Sequence, residues 1–172
     1  MSKWSEYYLS RLGNSYKQYV AKRYKPFVDI LNNTGATTYA EFGCGIGTIT
    51  CLINKGKHIL IDRDLDILNL AEINTCYRHL YIQSNIKDIE INKVDVIHSH
   101  GVLEHLDNKT ILDVVAKQKK SSKIGIHYVP TDKYTTKSFG DERLMSVETW
   151  CRLVKPKETI LFNDDKDLIL IV

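Results

Sequence analysis

The stretch Glu41-Phe42-Gly43-Cys44-Gly45-Ile46-Gly47-Thr48 decides how the rest of the chain is read. It follows a short apolar run at residues 37–42 and precedes an apolar helical pattern at 46–54. A strand is therefore expected to enter a glycine loop and leave through a helix. Glycine lets the backbone turn tightly and lets a ligand approach where a Cβ would collide. Three glycines at alternate positions exceed what turn geometry alone requires. A dinucleotide loop would read G-x-G-x-x-G and seat a pyrophosphate on the helix N-terminus. Here Gly47 comes one residue early, and Thr48 takes its expected place. Glu41 stands two residues before the first glycine. A carboxylate there repels a pyrophosphate but suits a ligand with an ammonium group. S-adenosylmethionine carries such a group and a sulfonium as well, so electrostatics favours it over NAD.

Outward from the loop, short apolar runs alternate with helical patterns. Strands are expected at 37–42, 58–62, 79–84, 94–99 and 123–129, and helices at 46–54, 65–75 and 107–119. Such alternation predicts a parallel sheet covered on both faces, the doubly wound α/β class. Asp62 ends the second strand, about 20 residues past the loop, where a carboxylate can accept bonds from both ribose hydroxyls. Two last runs, 158–162 and 168–172, flank Asn163-Asp164-Asp165-Lys166-Asp167 and suit an antiparallel hairpin. That makes seven strands. Before the loop, residues 5–31 form a basic, tyrosine-rich arm. Leu9, Leu12, Tyr16, Tyr19, Val20 and Arg23 recur at helical steps, Gly13-Asn14 splits the arm, and Pro26 opens its last helix. Ser146 is placed to cap a helix that runs through Trp150.

At 172 residues one domain is expected, with an arm at 1–35 and a core at 36–172. A chain that is 43% hydrophobic and 26% charged is an ordinary globular protein, which excludes disorder and a disulfide scaffold. The net charge of +3 is too small for a domain held on nucleic acid mainly by phosphate contacts. Cys44, Cys51, Cys76 and Cys151 show neither CxxC pairing nor metal-ligand spacing, and read as reduced thiols. No metal is expected. The first residues are polar and aromatic, and no apolar run approaches the ~18 residues of a membrane span, so a cytoplasmic location is expected.

From about residue 37 to the C-terminus the chain resembles a class I S-adenosylmethionine-dependent methyltransferase. Glu41–Gly47 resembles that family's first motif, and Ile61-Asp62-Arg63 its second. Gln83-Ser84-Asn85-Ile86 resembles the adenine-binding turn. The run from Val94 to Leu106, with Val102-Leu103-Glu104-His105-Leu106, resembles the fourth motif of the small-molecule members. The resemblance implies a Rossmann-like, mostly parallel seven-stranded sheet with a C-terminal antiparallel hairpin and, here, an N-terminal helical arm. It implies that Glu41, Gly43, Cys44, Gly45 and Gly47 belong to the cofactor loop, the glycines lying against the methionine and ribose part. Asp62 would hold the ribose hydroxyls and Arg63 would border the adenine. Asn85 stands where many members have aspartate, and its amide oxygen can still accept from the adenine amino group. Ile86 would cover one adenine face, and His100 would touch the cofactor at the strand end. By analogy with arms that close over the cofactor, Tyr16, Tyr19 and Arg23 are expected contacts.

Methyl transfer is an in-line displacement in which positioning alone can lower the barrier by roughly 7–11 kcal/mol. A dyad is not required, and none is evident. Histidine is the natural base to look for, and His100 ranks first and His127 second as proton acceptors. The arm and residues 130–143, including Tyr134 and Phe139, should roof a site for a small polar acceptor. His98-Ser99-His100-Gly101 differs from the Asn/Asp-Pro-Pro-aromatic pattern of base methylation, which argues against a nucleic-acid substrate. The basic residues Lys117, Lys119 and Lys120 fit the end of a helix, where cations suit the dipole. A cofactor-binding module without turnover, or a nucleic-acid methyltransferase, are the alternative readings.

Overall fold

The computed structural model describes residues 2–76, 78–137 and 141–172. Five apolar runs form parallel strands: β1 (Thr38–Phe42), β2 (Lys57–Asp62), β3 (Leu80–Gln83), β4 (Val94–His100) and β5 (Ser122–Pro130). β6 (Glu158–Phe162) and β7 (Asp167–Ile171) close the chain. The seven strands make one sheet in the order β3-β2-β1-β4-β5-β7-β6. β7 runs antiparallel to both β5 and β6. The hairpin turn places Asn163, Asp164 and Asp165 at φ of 52°, 58° and 60°, a region that short polar side chains tolerate better than most.

Among the described residues six α-helices flank the sheet: α1 (Lys3–Leu9), α2 (Asn14–Arg23), α3 (Lys25–Asn33), α4 (Leu65–Asn74), α5 (Asn108–Ser121) and α6 (Val147–Val154). Alternation along the strands divides the core. Ala40, Phe42, Ile61, Ile97, Val129, Leu168 and Leu170 pack with Ile111, Val114 and Val115 of α5 and with Trp150 and Val154 of α6. Tyr39, Val96, Ile126 and Ile169 pack with Val20 of α2 and with Phe27, Val28 and Leu31 of α3. Phe27 and Leu31 are fully buried, each contributing about 1.5–3 kcal/mol. The arm is thus one of the layers on the sheet. Ser146 caps α6 by accepting from the Thr149 amide, as its position predicted.

The helix expected at 46–54 is absent; that stretch holds a single 3-10 turn at Thr50–Leu52. Gly47 sits at φ +68°, which no right-handed helix accommodates. Ile46, Thr48, Ile49, Thr50 and Ile53 are all β-branched and stiff at χ1, so helix propensity is low once the turn is broken. The layer this helix would have supplied comes from α2 and α3, with Ile49 and Ile53 packed among their side chains. The chain crosses from β1 outward to β2 and β3, then returns to β4 on the other side of β1. That reversal is a switch point, and the carboxyl ends of the strands open a crevice there.

Candidate active site

The crevice is a cleft of about 780 Å³, within the range of small-molecule sites. Each of the strands β1 to β4 supplies a wall: Gly43 and Gly45 after β1, Asp62 and Arg63 at β2, Asn85 and Ile86 after β3, and His100 at β4. Sequence positions more than fifty residues apart thereby meet in one space.

Gly45 forms the floor. A Cβ there would stand 2.9 Å from the Tyr8 ring, and the backbone lies at φ +52°, so only glycine fits without strain. Its amide donates to Asp62 Oδ2 at 3.2 Å, while Oδ1 accepts from the Asp64 amide at 3.1 Å. The loop and the tip of β2 are therefore tied through one carboxylate. Burial pushes the Asp62 pKa up, and the backbone bonds from Asp64 and Gly45 oppose that rise. A carboxylate has about four acceptor sites, so Asp62 retains capacity for a ligand hydroxyl.

Other members of the glycine loop serve the core. A Cβ on Gly47 would stand 2.7 Å from Thr75 Cγ2 and 2.8 Å from Leu60 Cδ2. Gly47 thus lets the loop lie against α4 and β2 and does not line the cleft. Cys44 is buried with Leu60, Leu68 and Ala71, and its thiol points to the Gly45 carbonyl oxygen at 3.3 Å. Glu41 is only 2% exposed, and Thr50 donates its hydroxyl to it at 2.6 Å. Burial pushes Glu41 up to about 8, although the bonds from Thr50 pull the other way. At neutral pH it is mostly uncharged, so the electrostatic attraction expected of it for an ammonium group is weak in this state.

This carboxyl has a measurable consequence. A group whose folded pKa lies above its unfolded value stabilises fully below the latter and loses that contribution as pH rises through the folded value. Glu41 should therefore erode stability progressively from about pH 4.5 towards pH 8. Glu41→Gln is expected to flatten that decline. Thermal midpoints against pH for the two proteins check it; parallel curves would contradict the buried-acid assignment.

At β4, His100 stacks on Tyr128 with ring centroids 4.5 Å apart and meets the edge of Tyr24 at 4.2 Å. Its Nε2 is buried without a hydrogen-bond partner among the described residues. Burial pushes its pKa down to about 3. The imidazole is neutral at physiological pH, able to hydrogen-bond but a weak proton acceptor. His98 shares its face, as residues two apart in a strand do, and both lie near Phe27.

His127 is not brought to the cleft. It is fully buried on the opposite face of the sheet, with Nδ1 2.8 Å from Ser99 Oγ and Nε2 2.8 Å from Gln118 Oε1. Both ring nitrogens are engaged, so its part is to join β4, β5 and α5. Tyr19 and Arg23 are also placed elsewhere. Tyr19 is 57% exposed and stacks with Tyr16. The Arg23 guanidinium pairs with Asp167 at 2.8 Å and donates to the Tyr134 hydroxyl at 2.7 Å, which ties α2 to β7. Tyr134 likewise donates to Asp167 at 2.6 Å and does not line the cleft. Phe139 lies outside the described residues.

The arm does reach the cleft, through α1. Ser2, Trp4 and Tyr8 line it; the Ser2 hydroxyl donates to the Asp64 carboxylate, and Trp4 stacks on Tyr8 with centroids 6.0 Å apart. Burial pushes the Tyr8 phenol well above its ordinary pKa, so it stays protonated over the Gly45 backbone. The sequence signal was available but faint: Trp4, Tyr7 and Tyr8 are a dense aromatic group in a polar segment. Asn85 folds its own turn, accepting the Lys87 amide at 3.1 Å, and Ile86 is buried beside it.

A family model described as a methyltransferase domain matches residues 40–129, just over half of the chain. No curated protein matches it in sequence. Among solved structures, the N-methyltransferase NodS of Bradyrhizobium japonicum in complex with S-adenosyl-L-homocysteine is similar at a TM-score of 0.75 and 15% identity, covering 99% of this chain and 97% of that one. Magnesium protoporphyrin IX methyltransferase ChlM of Synechocystis, with bound S-adenosylmethionine, is similar at 0.67 and 12%, covering 90% and 77%. A larger chain from Nostoc punctiforme is similar at 0.72 and 11%, covering 88% of this chain and 56% of its own length. At these identities the likeness is one of fold.

Proposed function

The chain belongs to the S-adenosylmethionine-dependent methyltransferase family, and we propose that it moves the methyl group to an oxygen or nitrogen of a small-molecule acceptor. The observation that carries this reading is the Gly45–Asp62 tie: bare backbone at the floor of the cleft, joined to a carboxylate on the neighbouring strand. These residues fit the cofactor. The bare Gly45 backbone is covered by the Tyr8 ring, which a ligand would displace and a side chain would meet, and Asp62 retains acceptor sites beside it. When bound, S-adenosylmethionine supplies a methyl carbon made electrophilic by positive sulfur.

Asp62 would hold the ribose hydroxyls, Asn85 and Ile86 would border the adenine, and Gly43 and Gly45 would let the amino-acid end lie close. His100, neutral and with Nε2 free, would orient a polar group by a hydrogen bond without taking its proton. Trp4 and Tyr8 would wall one side of the bound cofactor, and Tyr8 must give ground above Gly45 for a ligand to lie there. The acceptor's proton then leaves to solvent, and the enzyme's contribution is alignment. NodS is an N-methyltransferase and ChlM a magnesium protoporphyrin IX methyltransferase; the latter's acceptor is a small molecule, which supports a small acceptor over nucleic acid here. No described helix is long and apolar enough to cross a membrane, and four free cysteines support a reducing, cytoplasmic location.

Incubation with methyl-labelled cofactor and pools of small hydroxylated and amino compounds should give labelled small product and S-adenosylhomocysteine. Label transferred only to RNA or DNA, or to nothing in any pool, would overturn the reading.

A further inference from the structure

Where the Leu103–His105 turn meets residues 141–142, three groups from two distant parts of the chain converge. His105 offers a ring nitrogen, and Asp141 and Glu142 each offer a carboxylate oxygen. All three atoms lie within 4.8 Å of one another. His105 Nδ1 and Asp141 Oδ1 are already 3.0 Å apart. Ligands bound at about 2.0–2.2 Å to one dication sit about 3–4.4 Å from each other, so little movement is needed to close the set.

A second observation points the same way. Glu104, next to His105, is 4% exposed, and its Oε2 has no hydrogen-bond partner among the described residues. Its main-chain oxygen accepts the Arg143 amide at 2.9 Å, which holds Glu104 against residues 141–143. A buried carboxyl oxygen without a donor is costly unless something positive meets it. The Arg143 guanidinium does not meet it; it donates to the Leu106 carbonyl and to Asn108 Oδ1, both at 2.6 Å.

We propose that His105, Asp141 and Glu142 form a divalent-cation site at the mouth of the cleft, with the buried Glu104 side chain beside His105. One imidazole among carboxylates suits Mn²⁺ or Zn²⁺ better than the oxygen-only preference of Ca²⁺. His105 and Asp141 line the same cleft as Asp62 and His100, and three protein ligands leave coordination positions open towards it. The role of the cation rests on the methyl-transfer reading: it selects acceptors that carry two adjacent oxygen donors, such as a vicinal diol or a hydroxy acid, and fixes them before the methyl group arrives.

Mn²⁺ alone is the probe. Titrating the full chain into Mn²⁺ should quench the free-ion electron paramagnetic signal with one site per chain, and Zn²⁺ should restore it. His105→Ala and the isosteric Asp141→Asn should each weaken uptake at least tenfold; the second keeps the test valid if the first fails to fold. An unquenched signal, or equal uptake by wild type and a folded variant, would overturn the site. S-adenosylhomocysteine is titrated into the same wild-type sample. Heat with that compound but no Mn²⁺ uptake removes the cation and leaves methyl transfer standing, whereas no heat removes the role assigned to the cation.

Discussion

Gly45→Val is expected to abolish cofactor binding while the protein stays folded. A Cβ at this position would stand 2.9 Å from the Tyr8 ring, and valine adds two methyl groups to it. The backbone sits at φ +52°, where a β-branched residue is a genuine outlier. Local strain of this kind costs about 1–3 kcal/mol, against a typical domain stability of about 5–15 kcal/mol. A lowered thermal midpoint with a cooperative transition is therefore the expected folding result. The cleft suffers more, because the new side chain occupies the floor and pushes α1 outward. S-adenosylhomocysteine should give no measurable heat. Normal affinity in the variant would mean that the ligand does not lie on this backbone.

Asp62→Ala is expected to weaken binding of S-adenosylhomocysteine by about 1.5–3 kcal/mol, the scale of hydrogen bonds to a charged group. The carboxylate also receives the amides of Gly45 and Asp64, so its loss loosens the loop as well. Asp62→Asn separates the two effects. Its amide oxygen still accepts a backbone bond, while the charge is gone. An intermediate affinity for Asn is the expected result, measured by calorimetry with thermal scans to confirm folding. Unchanged affinity in the alanine variant would remove Asp62 from the site.

The sheet was legible because its strands are short apolar runs separated by turn residues, and burial on both faces leaves little room for other readings. The hairpin was legible from the five polar residues Asn163-Asp164-Asp165-Lys166-Asp167 set between two apolar runs. The helix after the glycine loop was misread because periodicity marks Ile46, Ile49 and Ile53 as a face, yet cannot show Gly47 at positive φ. The arm was misread in a different way. Tyr19 and Arg23 carry the chemistry one looks for in a contact, but the direction of a helix face is set by tertiary packing. Arg23 goes to Asp167, and the cleft is covered from the less conspicuous α1. His127 shows the same limit. Nothing local reveals that Gln118 and Ser99 will occupy both its nitrogens. The meeting of His105 with Asp141 is equally invisible in one dimension, since thirty-six positions separate them. Glycines and acids at strand ends can be read from sequence because backbone geometry dictates their positions; pairings between loops cannot.

Calorimetric titration of the wild-type protein with S-adenosylhomocysteine and, separately, with NAD tests the central claim most directly. A demethylated nucleoside lying on Gly45 and held by Asp62 should produce saturable heat at one site per chain, with none from the dinucleotide, whose pyrophosphate finds no helix N-terminus after β1. Saturable heat from NAD and silence from S-adenosylhomocysteine would contradict the account.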